Sequence, residues 1–145
     1  MKKMMVMLTL LTLTATFAFA GEKINKAALN AFQSEFVGAT DVTWTASRDY
    51  YEVTFTFNEQ KLFAFYNNEG EFMAVSHFIS SMQLPHHLKE TLKRSLDKYW
   101  LTDLFEIGNG DTTGYYVTLE NSDKKIVLRS TDGSNWLFYA MTDKK

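Results

Sequence analysis

The chain of 145 residues has no cysteine and a single proline. Without cysteine there is no disulfide, no thiol nucleophile, no thiolate metal site and no lipid-modified N-terminal cysteine. No strong excess of positive charge is present either: 15 basic residues stand against 17 acidic ones. That balance lacks the electrostatic footprint of a nucleic-acid or anionic-lipid binder. The short basic cluster Lys89, Lys93, Arg94 and Lys98 is spaced for one helix flank and reads as a solvated face. Long apolar runs are missing beyond the first twenty residues.

Those first residues read as an export signal. Lys2 and Lys3 precede an uncharged stretch from Met4 to Phe19, and Ala18-Phe19-Ala20 has the small-x-small form of a cleavage site. Four threonines dilute the stretch, which is shorter and less apolar than a membrane span of about 20 residues requires. The expected product is residues 21–145, released after Ala20 into the periplasm or medium. Its 13 basic and 17 acidic residues give a net charge of −4. Small exported domains often depend on disulfides. This one must rely on its core, and an aromatic content of 15% makes that plausible.

The apolar pattern predicts a helix over 25–36, with Asn25 as N-cap and Leu29, Phe32 and Phe36 at helical spacing. Alternation then predicts strands at Val42–Trp44, Tyr51–Phe57, Leu62–Tyr66 and Phe72–Ile79, separated by turn residues. The order starts again at Leu84-Pro85, with Leu88, Leu92, Leu96 and Tyr99 on a second helix. Strands follow at Phe105–Ile107, Tyr115–Leu119, Ile126–Leu128 and Trp136–Met141. A shift of 63 carries Leu29 to Leu92, Trp44 to Ile107, Phe63 to Ile126, Phe65 to Leu128 and Gly70 to Gly133. The expected class is therefore α+β: two tandem repeats, about 22–79 and 84–142, each a helix plus a four-stranded antiparallel meander. Helices would pack on one face, of one sheet or of two.

In this register Tyr51, Phe55, Phe57, Phe63 and Phe65 lie beneath the helices. Tyr50, Tyr66, Tyr116 and Tyr139, with Leu62 and Val127, share the opposite face among Glu52, Thr54, Thr56, Thr118 and Arg129. Tyrosine and arginine amid threonine is the composition of a protein-recognition surface. The same tyrosines are also good strand formers that pair across strands.

Other chemistry finds little footing. His86 and His87 diverge by about 100° on a helix, and His77 belongs to another element, so no i, i+4 ligand pair forms and no metal site is expected. Asn109, Asp111, Asp123 and Asp132 sit in turns without the density of a calcium loop. No serine has a nucleophile-elbow context and no glycine-rich phosphate loop occurs. Glu52, Glu71 and Glu120 are the carboxylates from which a glycosidase-type pair would have to be drawn. No enzyme activity and no cofactor are expected.

Several segments together resemble the PepSY-like family of exported bacterial proteins, described as similar to the β-lactamase-inhibitor protein. They are Phe36-Val37-Gly38-Ala39-Thr40, Val42-Thr43-Trp44, Tyr50-Tyr51-Glu52-Val53, Phe65-Tyr66-Asn67-Asn68-Glu69-Gly70, and Leu84-Pro85 opening a helix. Val37 stands where the family often has proline, and Tyr99-Trp100-Leu101 lacks a helix-ending glycine. The resemblance implies an exported protein without catalytic residues or cofactor, gripping another protein through a sheet surface. The expected binding face is Tyr50, Glu52, Tyr66, Tyr116, Arg129 and Tyr139. A small-molecule or metal carrier is the alternative, self-association is possible, and neither nucleic acid nor, after cleavage, membrane is an expected partner.

Overall fold

The computed structural model describes residues 23–145, so the export signal and its cleavage site lie outside the described residues. No helix among the described residues is long and apolar enough to cross a membrane. Helix α1 (Lys26–Glu35) precedes strands β1 (Thr40–Ala46), β2 (Tyr50–Phe57), β3 (Gln60–Asn67) and β4 (Phe72–Phe78). A 3-10 turn (Ser81–Gln83) and helix α2 (His86–Lys93) lead to β5 (Trp100–Gly108), β6 (Thr113–Glu120), β7 (Lys124–Ser130) and β8 (Leu137–Asp143).

The expected fold class is corrected here. The eight strands form one sheet in strict sequence order, β1 to β8. Half of the described residues are strand and only 17% are helix. The chain is thus a mostly-β meander with two short helices, rather than two helix-plus-four-strand repeats with helices packed on the sheet. The second helix also ends earlier than its apolar pattern suggests. It stops at Lys93, which leaves Leu96 exposed, and Pro85 occupies the N-cap rather than the first helical turn.

By contacts the chain divides into two compact units, to Val75 and from Ser76 onward. In the first, Asn25 caps α1 by accepting a 2.7 Å bond from the Ala27 N–H. Its core holds Ile24, Ala28 and Phe32 with Trp44, Val53, Phe55, Ala64 and Tyr66. Phe32 meets Trp44 and Phe55 edge-on at 5.5 and 4.9 Å, and Phe36 meets Phe55 at 4.7 Å. Strand pairing sets which residues share this face: Val53 lies opposite Ala64, and Phe55 opposite Leu62. In the second unit Leu84, Leu88 and Leu92 share a core with Leu104, Tyr115, Val117 and Leu119. Trp136 closes it, donating its indole N–H to the Leu88 carbonyl at 3.0 Å.

The turns use side-chain oxygens as local caps. Asn109 accepts from the Asp111 and Thr112 N–H groups, and Asn121 from those of Asp123 and Lys124. Asp132 goes furthest, accepting from the Ser134 and Asn135 N–H groups at 2.8 and 2.9 Å, the Asn135 amide and the Ser130 hydroxyl. These bonds, the Asn135 side chain foremost, hold its carboxyl well below the usual range. A depressed folded-state pKa stabilises fully above the unfolded carboxylate value of about 4 and is lost as pH falls through the folded one. Asp132→Asn is therefore expected to flatten the acid limb of a plot of unfolding midpoint against pH. Coincident acid limbs for the two proteins would refute this role.

Candidate protein-binding face

In the second unit the register separates two sets of side chains. Leu104, Val117 and Leu128 lie opposite one another and enter the core. The neighbouring row, Phe105 opposite Tyr116 and Tyr116 opposite Arg129, projects from the other side. On that side the rings form a ladder across strands. Phe78 meets Phe105 edge-on at 6.4 Å, and Phe105 stacks on Tyr116 at 5.2 Å with the planes 9° apart. Tyr116 meets Tyr139 edge-on at 5.3 Å. The Arg129 guanidinium carbon sits 5.4 Å from the Tyr139 ring centroid, a cation–π arrangement. Phe78 and Tyr139 are each 53% exposed.

Arg129 is held within this row. Its Nε is buried and has no hydrogen-bond partner among the described residues. A second aromatic and charged group lies on the same row of β6. Glu120 takes a 2.7 Å salt bridge from Lys144 and a 3.6 Å one from Lys125. The Lys144 hydrogen bond chiefly lowers the Glu120 pKa. Lys144 also lies 5.0 Å from the ring of Trp100, which pairs with Glu120 across β5 and β6.

Three of the six expected site residues, Tyr116, Arg129 and Tyr139, come together here. Tyr50 and Glu52 lie on the first unit, where Tyr50 meets Phe65 at 5.9 Å and Glu52 pairs with Phe65. Tyr66 must be corrected. It is 0% exposed, lies 5.8 Å from Trp44 in the core, and burial raises its phenol pKa. Its partner across the strands is Tyr51, a core-side residue, which forces it inward. Phe63 and Phe65 move the opposite way, pairing with Thr54 and Glu52 on the other face, and Leu62 joins the core. Phe105, Phe78 and Trp100 belong to the face but were not among the expected residues. Adjacent apolar residues, Leu104-Phe105, hide the parity that would have found Phe105.

The other candidates fall on several elements. His86 and His87 are exposed on the first turn of α2, and His77 is on β4. Among the described residues no three of His, Asp and Glu gather as metal ligands. Glu71 accepts from the Asn67 side chain at 2.7 Å, and Glu120 is tied to its lysines.

This arrangement can be set beside known proteins. No protein-family model matches the chain, and no curated protein does. Solved structures do. A BLIP-like protein from Bacteroides fragilis is 18% identical with a TM-score of 0.66, over 86% of this chain and 89% of that one. The fold is BLIP-like. A DUF2874 family protein from Bacteroides ovatus shares it at 14% identity and TM-score 0.69, over 85% and 89% of the two chains. A candidate periplasmic protein from Bacteroides eggerthii does so at 10% and 0.72, over 84% and 90%. The BLIP-like fold matches the inhibitor side of the family resemblance; none of these three neighbours is described as PepSY-like.

Proposed function

We propose that the protein is exported, does no catalysis and binds another protein through the ladder face of its second unit. The observation that carries this reading is the row Phe105, Tyr116, Arg129 and Tyr139, flanked by Phe78. Rigid rings offer large contact area at small entropic cost, and Tyr and Arg are the residue types that dominate binding energy at interfaces. Packing Arg129 against Tyr139 fixes its guanidinium before any partner arrives, which lowers the ordering cost of association. The charged neighbours Asp103 and Lys125, both on strands of this face, supply the polar rim such a surface needs. A periplasmic location agrees with the basic-then-apolar leader read at residues 1–20 and with the Bacteroides eggerthii neighbour.

The test is capture of partners from the native envelope by the purified protein and by Tyr116→Ala plus Arg129→Ala. Each truncated anchor is expected to cost about 2 kcal/mol or more of binding, so any face-bound partner should disappear from the eluate. Retention of every captured protein by the double variant, with its fold intact by circular dichroism, would defeat the reading.

A further inference from the structure

Strand β8 has features that binding through one sheet face does not use. It is the last strand in the sheet order, so its outer edge pairs with no strand among the described residues. Four of its seven residues are large, apolar and exposed: Leu137 at 51%, Phe138 at 66%, Tyr139 at 53% and Met141 at 51%. These side chains are divided between the two faces. Phe138 and Met141 pair with Leu128 and Ile126, on the core side, whereas Leu137 pairs with Arg129 on the ladder side. A partner docked on either face alone would leave the other set in water. A strand added along the edge would cover both.

Edge strands are ordinarily guarded by charge or proline. No charge and no proline occur between Gly133 and Asp143. At the other end of the sheet, β1 carries Thr40, Asp41, Thr43 and Thr45 as its exposed residues, all of them polar. The contrast makes β8 the adhesive edge.

We infer that β8 pairs antiparallel with β8 of a second copy of this chain, joining the two sheets about a two-fold axis. The occupant follows from self-complementarity. The register shift between Val127 and Leu128 leaves Tyr139 as an extra residue. Phe138 and Met141 therefore face the same side despite their odd spacing. In an antiparallel pair centred between Tyr139 and Ala140, Phe138 stands opposite the partner's Met141, and Met141 opposite the partner's Phe138. Leu137 then stands opposite the partner's Thr142. Each pair keeps its two members on one face, as strand pairing demands, and the Phe–Met pairs are sulfur–aromatic contacts. Ala140 and Tyr139 flank the axis, and the small alanine leaves room for the tyrosine. A two-fold interface uses one patch twice, which is what this strand provides.

Sedimentation velocity of the purified protein over a concentration series should show a monomer–dimer equilibrium. Phe138→Lys should weaken self-association about tenfold or more, because it sets a charge against Met141 in both symmetric pairs. Met141→Glu should do the same against Phe138. Mixing the two variants should restore the dimer. In the mixed pair the introduced lysine faces the introduced glutamate at one contact, and the native Met and Phe still face each other at the other. Phe105→Ala plus Tyr116→Ala should leave the dimer unchanged, which separates this inference from partner binding on the ladder face. A wild-type protein that stays monomeric throughout overturns the edge pairing. A dimer lost on changing Phe105 and Tyr116, or one that the Phe138 and Met141 variants form as well as the wild type, overturns it too. Melting curves for each variant verify that the fold persists.

Discussion

Phe32→Ala is expected to lower stability by about 3–5 kcal/mol, the usual cost of deleting a buried ring. Phe32 is the residue through which α1 is joined to the strands. It lies within 5.5 Å of the Phe36, Trp44 and Phe55 rings, all in one cluster, and is almost wholly buried. Three ring–ring contacts of roughly 0.5–1.5 kcal/mol each disappear together with the transfer energy of the ring. The cavity would be lined by stiff aromatics, which collapse poorly, so the upper half of the range applies. For a domain of this length the margin to be lost from is only about 5–15 kcal/mol. The midpoint of thermal unfolding should fall by roughly 10–20 °C. Phe138→Ala, at an exposed site on β8, should change the isolated protein's stability by about 0.5 kcal/mol or less. Urea titrations of the two variants measure the contrast. Equal and small losses would mean that the Phe32 cluster does not hold the first unit together.

That cluster also shows where the sequence was legible. Alternation in Tyr51-Glu52-Val53-Thr54-Phe55 identified β2 and its inward face correctly, because polar residues occupy every second position. The β3 segment Leu62-Phe63-Ala64-Phe65-Tyr66 has no charged or amide residue to mark its outward positions, and the expected register set the phenylalanines inside. Pairing decides otherwise. Ala64 is the inward residue opposite Val53, and Tyr66 follows it. The shift of 63 does not preserve strand faces either. An odd shift exchanges the faces of a strand, so it set Val53, in the core, against Tyr116, on the ladder. The buried residues follow even shifts instead. Sixty takes Ile24, Ala28, Phe32 and Trp44 to Leu84, Leu88, Leu92 and Leu104. Sixty-four takes Val53 and Phe55 to Val117 and Leu119. The difference arises between β1 and β2 on one side and β5 and β6 on the other, where β5 is two residues longer than β1. Loop and strand lengths of this kind leave no periodic trace. On β6 and β7, Tyr116, Thr118 and Arg129 reached their true face because Val117 and Leu119 mark the inward parity unambiguously.

Gly70→Ala and Gly133→Ala put the remaining packing claim to a quantitative test. Both glycines end turns with left-handed backbones, at φ 90° and 70°, so an alanine at either should cost about 1–2 kcal/mol from conformation alone. Their surroundings differ. A Cβ on Gly70 would come within 2.5 Å of the Ala28 amide nitrogen, 2.6 Å of the Ala27 Cβ and 2.8 Å of the Ala27 carbonyl carbon. A Cβ on Gly133 would meet only the Pro85 ring, at 3.8 Å. The obstacle at Gly70 is helix backbone, which cannot rotate aside. It is further pinned by the Asn25 side chain, whose amide donates to the Asn68 carbonyl at 2.9 Å. Relieving the overlap requires α1 to lift from the Asn67–Gly70 turn, and overpacking of that kind adds about 1–3 kcal/mol. Gly70→Ala should therefore be the more damaging change by about 2 kcal/mol, a factor of about thirty in the folding equilibrium. Because α1 carries Ala28 and Phe32 into the core, a lifted helix would also loosen the aromatic cluster. Gly70→Ala and Phe32→Ala should then combine to less than the sum of their separate losses. Equal losses at the two glycines would show that turn conformation alone required them, and strict additivity with Phe32→Ala would show that the turn does not seat the helix.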